Sequence, residues 1–364
     1  MMSRYARIAD NIDWGLITTA LAIVFIGLLC LYSSSRGTGI TIFYKQLMWI
    51  AIGVLVMIVV FAVDYRVLLR SAWPLYILMI FGLVLVLIVG REISGARRWI
   101  SFGPMGIQPS ELAKIIMIIW LAYWGEQKKY IQGYGIRELV LPTFFILVPV
   151  GLILVEPDLG TAGIVALISC TLMLLLGIKR STFVGLLVLF ISAMPFIWFS
   201  LKEYQRQRIL TFLDPSRDPL GSGYHAMQSK IAVGSGGLLG KGFLEGTQTQ
   251  LRFLPEHHTD FIFSVVAEEW GFAGSALLLL LYVALVTKIT QIGFKAKDRL
   301  GTMICFGVAA FFTLHIFINI AMAVGIFPVV GVPLPFISYG GSFMLINWIC
   351  IGLVLNIAWR RFMF

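Results

Sequence analysis

Three short polar stretches of this chain carry side chains whose type and spacing could do chemistry. The first ends Leu254-Pro255-Glu256-His257-His258-Thr259-Asp260-Phe261 and leads into an apolar run. A carboxylate there, among aliphatic and aromatic neighbours, can serve as a general base. Partial desolvation would raise the pKa of Asp260 and a helix N-terminus would lower it, so the sequence leaves its charge state open. Thr259 or Asp260 could instead cap the helix. His257 and His258 are adjacent, so they do not share a helical face. No third ligand stands at metal spacing, and this pair is not expected to hold a metal.

The second stretch is Gln108-Pro109-Ser110-Glu111-Leu112-Ala113-Lys114. Ser110 reads as an N-cap, and Glu111 suits the positive end of a helix dipole. Lys114 lies one turn inside an apolar segment, where a cation is costly and is paired or functional. Glu111, at i−3, can pair with it, and Asp158 is a second candidate. Asp158 belongs to the third stretch, Glu156-Pro157-Asp158, whose proline and two acids break a long apolar stretch at a surface turn.

Other polar positions have plainer readings. Glu268 and Glu269 follow Asp260 by about 12–14 Å of helix and are expected to face other helices or a wet cavity, in a packing role. The glycine-rich Gly234-Ser235-Gly236-Gly237-Leu238-Leu239-Gly240-Lys241-Gly242 follows no strand and fails phosphate-loop spacing. Its backbone could still approach a ligand or a bilayer closely. Residues 331–342, rich in glycine and proline, read as a re-entrant or unwound segment, tolerated at membrane depth only when buried in protein or lining a cavity.

The elements that must position these groups follow from composition. Hydrophobic residues make up 59% of the 364 and charged residues 13%, against about 25% charged in soluble domains. That excludes a soluble fold. The apolar residues fall in runs of about 20, the length of a bilayer-crossing helix. The expected fold is an all-α integral membrane protein, one polytopic domain over 1–364 with ten transmembrane helices. They are placed near 14–34, 45–63, 73–90, 111–124, 139–155, 159–178, 182–200, 261–289, 301–326 and 338–358. The first is too long for a signal-peptide core and reads as a retained helix. Cys30, Cys170, Cys305 and Cys350 all lie in apolar runs and read as small buried hydrophobes rather than metal ligands or disulfide partners.

Charge sets the orientation. With the N-terminus cytoplasmic, inner connections hold fifteen Lys and Arg, and short outer connections hold five. Both termini are then cytoplasmic, and the net charge of +10 needs no nucleic-acid partner. The unusual stretches all fall on the outer side. So does the extracytoplasmic connection 201–260 between helices 7 and 8, which is too apolar for a disordered linker and is expected to fold against the outer membrane face.

These residues resemble the SEDS family (shape, elongation, division and sporulation proteins) over nearly the whole chain, helix count included. Beyond the three stretches above, the matching motifs are Tyr204-Gln205-Arg206-Gln207-Arg208, Leu213-Asp214-Pro215, Gly223-Tyr224-His225 with Gln228-Ser229, Gly246-Thr247-Gln248, and residues 331–342. The glycine-rich and Gly-Thr-Gln stretches look more like the RodA branch than the division branch. The resemblance implies a peptidoglycan glycosyltransferase that polymerises lipid II in the bacterial plasma membrane, at the extracytoplasmic face, for cell elongation. It implies a class B penicillin-binding protein, a transpeptidase, as partner within the elongation machinery. It makes Asp260 the catalytically essential position and Glu111, Lys114 and Asp158 functional ones.

The residues fit that chemistry. Asp260 would take the proton of an attacking sugar hydroxyl. Lys114, Arg206, Arg208 and Arg97 or Arg98 are the candidate cations for a departing pyrophosphate, and a divalent ion (Mg²⁺ or Mn²⁺) on Asp260 is another source of positive charge. Two alternatives stay open, a lipid II flippase or other transporter and a non-catalytic scaffold for a transpeptidase. The absence of a clear internal repeat, and a polar constellation at one face, favour the polymerase.

Overall fold

The computed structural model describes residues 12–35, 40–93, 96–102, 105–128, 133–201, 203–219, 221–251, 253 and 258–361. The apolar runs become helices α1 (Trp14–Ser35), α2 (Thr41–Ala62), α3 (Val67–Val89), α4 (Pro109–Gln127), α5 (Ile136–Val155), α6 (Leu159–Gly177) and α7 (Arg180–Ser200). After a connecting segment carrying α8 (Glu203–Leu213), α9 (Ser222–Ser235) and α10 (Thr247–Gln250) come α11 (Ile262–Phe294), α12 (Arg299–Ala323) and α13 (Gly341–Arg360). Among the described residues, eight helices are long and apolar enough to cross a membrane: α1, α2, α3, α5, α6, α11, α12 and α13. α7 runs over 21 residues from Arg180 to Ser200, and α4 carries Glu111, Lys114 and Glu126.

Burial sorts the bundle into a centre and a rim. The apolar window of α13 is 89% buried and that of α12 67%, against 17% for α2 and 22% for α5. With α4, whose side chains are buried along most of its length, α12 and α13 form the centre. A helix apolar all round and buried all round belongs there; one apolar but half uncovered offers its free face to lipid.

Two features depart from the expected all-α fold. Three described segments form a small antiparallel sheet in the order β1 (Arg91–Ile93), β2 (Ala96–Phe102), β3 (Met105–Ile107). Glu92 stands opposite Arg97, and Ile100 opposite Ile107. The signal was in the sequence: Ser94-Gly95 and Gly103-Pro104 are turn dipeptides that divide the stretch into strand-length pieces.

The second is a break in α11 at Gly271 (φ +63°, ψ −157°), a conformation open to glycine and costly for other residues. A break leaves backbone groups without helical partners, and the glycine-rich turn supplies them. Phe272 and Ala273 N–H donate to the carbonyls of Gly237 and Leu238, and Lys241 and Gly242 N–H donate to those of Glu268 and Glu269. Glycine is needed here because a Cβ on Gly236 or Gly240 would run into the α11 backbone. The turn therefore serves the protein's own helix. Glu268 packs as expected, its buried carboxylate taking Lys241 Nζ at 2.8 Å and Gln248 N–H at 2.9 Å.

Residues 331–340 run without helix between α12 and α13 and are largely buried, as expected of an unwound segment. They reach down beside α1, where a Cβ on Gly27 would meet the Phe336 carbonyl.

Candidate active site

A cavity of about 350 Å³ opens where the N-terminal ends of four helices meet the small sheet and the unwound segment. Asp260 and Thr259 line it just before α11, and Glu111 and Gln108 line it at the start of α4. Asp158 and Thr161 come from the start of α6, Arg98 and Trp99 from β2, and Arg208 from α8. Val330, Gly331, Pro333, Tyr339 and Gly340 close the remaining side, with Phe343. Segments more than 200 residues apart in sequence thus bring three carboxylates and two guanidinium groups to one concavity.

Backbone pinning holds Asp260 in place. The carbonyls of three consecutive residues each accept a donor from the last third of the chain: His258 from Tyr339 N–H at 2.8 Å, Thr259 from Ser338 Oγ at 2.6 Å, and Asp260 from Asn319 Nδ2 at 2.8 Å. His258 also lies against α1, its Nδ1 3.0 Å from Ser34 Oγ. The N-cap position of α11 is Phe261. Gly331 (φ +73°) passes so close that a Cβ there would stand 3.3 Å from Asp260 Oδ2. Leu254, Pro255, Glu256 and His257 lie outside the described residues.

Asp158 has structural work at its site. It is the N-cap of α6, with Oδ1 accepting Thr161 N–H at 3.1 Å and Oδ2 accepting Gln108 Nε2 at 3.1 Å. That second bond ties α6 to the start of α4. Glu111 pairs with Lys114, Nζ to Oε1 2.6 Å, with the ammonium 5.4 Å from the centre of the Phe343 ring. Glu111 lines the cavity; Lys114 is fully buried beneath it. Of the two partners open to Lys114 from sequence, the structure selects Glu111. The cap expected at Ser110 is not made: the N-cap of α4 is Gln108, and Ser110 Oγ is buried without a partner.

The arginines separate by position. Arg98 Nε donates to the Glu156 carbonyl at 3.1 Å and Nη2 donates to the Pro157 carbonyl, so Arg98 holds the α5–α6 turn while facing the cavity. Arg208 also faces the cavity. Arg206 does not line it: its guanidinium donates to the Trp198 and Phe199 carbonyls at 3.0 and 2.6 Å, at the C-terminal end of α7. Arg97, exposed on β2, does not line it either. Behind Arg98, Glu156 is buried with no hydrogen bond to either carboxylate oxygen. Burial pushes its pKa up to about 8, the Asp158 charge adds to the rise, and Arg98 opposes it.

Sequence reasoning missed Asn319, whose amide joins the Asp260 carbonyl to that of Val332 (2.7 Å). The available signal was an uncharged polar residue with two N–H donors inside the apolar run Phe317-Ile318-Asn319-Ile320. It also missed Trp99 and Thr161 as lining residues, which only the third dimension reveals.

Similarity to known proteins runs the full length of this architecture. The FtsW/RodA/SpoVE family model, described as cell cycle protein, matches residues 13–362. The peptidoglycan glycosyltransferase MrdB of Escherichia coli (strain K12) is 39% identical over 353 residues, covering 96% of this chain and 94% of that protein. A chain from a structure concerned with polymerization and crosslinking by a peptidoglycan synthase complex superposes with a TM-score of 0.84 at 34% identity, covering 96% and 98% of the two chains. The rod shape determining protein RodA of Thermus thermophilus superposes with a TM-score of 0.73 at 31% identity, again over 96% and 98%.

Proposed function

The chain belongs to the FtsW/RodA/SpoVE family, the SEDS proteins, and from that premise we propose that it is a peptidoglycan glycosyltransferase polymerising lipid II into glycan strands during cell elongation. The observation that carries the reading is the position of Asp260, on the wall of a cavity that two arginines also line.

In the transfer, the 4-hydroxyl oxygen of the acceptor sugar bonds to the anomeric carbon of the donor, whose bond to the lipid pyrophosphate breaks. The hydroxyl proton passes to the Asp260 carboxylate, and the pyrophosphate leaves with the electron pair. Arg98 and Arg208 meet the charge that develops on it. An α-linked donor becomes a β-linkage, so one displacement with inversion suffices and Asp260 acts as base rather than nucleophile. Lys114 serves through Glu111, fixing that carboxylate at the cavity wall, and Asp158 fixes Gln108 and the start of α6. Arg206 supports the site by tying α8 to the end of α7.

Mg²⁺ or Mn²⁺ enters this reading only through Asp260. Among the described residues no three His, Cys, Asp or Glu side chains cluster as a metal site, and both Asp158 oxygens accept hydrogen bonds already. Asp260 would hold such an ion, which would supply positive charge for the departing pyrophosphate.

Ten helices, the eight above with α4 and α7, cross the bacterial plasma membrane in this reading as one polytopic domain. Both termini are cytoplasmic, and residues 201–260 and the cavity are extracytoplasmic. The asymmetry of Lys and Arg between connections supports this orientation. The partner is a class B penicillin-binding protein, in keeping with the synthase complex from which one similar structure comes.

The test uses the full chain with its transpeptidase partner and labelled lipid II. Wild type is expected to make glycan strands; Asp260→Asn, isosteric and unable to take the proton, is expected to lose about 10²–10⁴-fold in rate while still folding and binding the partner. Full polymerisation by Asp260→Asn would remove the general base from this site.

A further inference from the structure

The glycine-rich turn at residues 236–242 carries two leucines at its middle that no packing explains. Leu238 is 75% exposed and Leu239 83%, and Phe272, just past the α11 break that the turn fills, is 68% exposed. Together they extend the uncovered apolar face of α11, which continues through Leu277, Leu280 and Val283.

Two independent features set the height of this patch. Ser33, near the outer end of α1, donates to Glu269, two residues before the Gly271 break. The 22 residues of α1 span about 33 Å, enough to cross the hydrocarbon core. The break therefore lies level with the outer end of a full span. Below it, residues 272–294 supply about 34 Å of α11. On the N-terminal side of the break, residues 262–269 are all buried. Aromatic rings gather at the same level: Phe243 stacks on Tyr32 with centroids 6.5 Å apart, and Tyr32 meets Phe43 edge-on at 5.6 Å. Of these, Tyr32 is of the kind enriched at membrane–water interfaces.

Non-helical backbone is tolerated at that depth only when its polar groups are satisfied. The turn meets this condition through its four hydrogen bonds to the break, plus Gly240 N–H to the Gly236 carbonyl at 2.8 Å. Its one charge, Lys241, is bound to Glu268 and Thr247 Oγ1, each at 2.8 Å. What projects is apolar.

We propose that residues 236–242 are an interfacial membrane anchor, with Leu238 and Leu239 inserted among acyl chains at the outer-leaflet boundary. The bilayer is the partner, and the contact rests on the reading that α11 spans it. The anchor fixes the outer segment relative to the lipid, and with it Asp260, eleven residues before the break.

Site-directed spin labelling tests this on the full chain in phosphatidylcholine–phosphatidylglycerol vesicles, with the exposed Cys170 replaced by serine. Labels go on Leu239→Cys, on Leu280→Cys as a lipid-face reference, and on Arg217→Cys as an aqueous reference. Power saturation is measured with oxygen and with a water-soluble nickel chelate. Leu239 is expected to match Leu280, with an oxygen-to-nickel ratio several-fold above that at Arg217. A ratio at Leu239 matching Arg217, with Leu280 still oxygen-accessible, overturns the anchor and leaves the span intact. Exclusion of both reagents at Leu239 would mean that protein covers it, and overturns the proposal too. Nickel access at Leu280 would overturn the span together with the anchor. Polymerisation by Leu239→Cys, measured in parallel, reports that the chain is folded and stands independently of all these outcomes.

Discussion

The side-chain amide of Asn319 donates to the backbone carbonyl of Asp260 at 2.8 Å, and the same nitrogen reaches the carbonyl of Val332 at 2.7 Å. One buried group on α12 thus joins the residue carrying the candidate base to the segment forming the opposite wall of its cavity. Asn319→Ala leaves two buried carbonyls without this donor, each costing about 1–3 kcal/mol where water cannot replace it. A shift of about 1 Å in a catalytic group can cost about 10²-fold in rate. The expected result is a kcat lowered toward that extent with KM little changed, and a melting temperature lower by several degrees. Asn319→Asp, which keeps the size but not the amide N–H donors, should not rescue kcat. Unchanged turnover in Asn319→Ala would show that Ser338 and Tyr339 suffice.

Gly331 faces the same carboxylate. A methyl group there stands 3.3 Å from Asp260 Oδ2, and the residue's φ of +73° disfavours any side chain. Gly331→Ala combines strain of about 1–2 kcal/mol with crowding at the base. Glycan synthesis is expected to fall by roughly an order of magnitude at modest loss of stability. Gly325 has a similar φ of +75° but lines a different, smaller concavity. Gly325→Ala is thus the control: it should cost stability without the same loss of rate.

Some of this site could be read without coordinates because its signals are local. The Glu111–Lys114 pair follows from i,i+3 spacing in an apolar run, and the long helices from runs of about 20 residues. What escaped was set by distant backbone. Arg206 looks like a cation awaiting a phosphate until its partners prove to be the carbonyls ending α7. The glycines of the 234–242 stretch look open to a ligand until their partner proves to be a helix break more than thirty residues later. Side chain-to-backbone bonds between remote segments leave no periodicity, so Asn319 reads as one more packed residue of α12.

Lys114 is a buried partner of Glu111, and removing one member of such a pair leaves the other charge unpaired. Lys114→Met should destabilise by about 3–5 kcal/mol. Adding Glu111→Gln removes the stranded carboxylate and should restore most of that stability, measured as thermal unfolding in detergent. Activity separates the two roles of Lys114. A positioning role predicts that the double variant recovers stability and is as active as Glu111→Gln alone, because the carboxylate that Lys114 holds is already gone. A stable double variant far less active than Glu111→Gln alone would instead assign Lys114 a role of its own toward substrate.

Glu156 gives a pH dependence with a definite sign. Its carboxyl is raised from an ordinary value near 4.5 to about 8 by burial, with Asp158 adding to the shift and Arg98 opposing it. Between those values the folded chain holds a proton that the unfolded chain has released, so stability declines as pH rises from about 5 to about 8. Glutamine at 156 has the shape of the protonated acid and does not titrate. Glu156→Gln should therefore unfold at nearly the wild-type temperature at pH 5 and at a progressively higher one toward pH 8. The gap should stop widening once wild type ionises in the folded state as well. A melting-temperature difference that stays flat across this range would mean that the carboxylate is already ionised in the fold, with Arg98 outweighing burial.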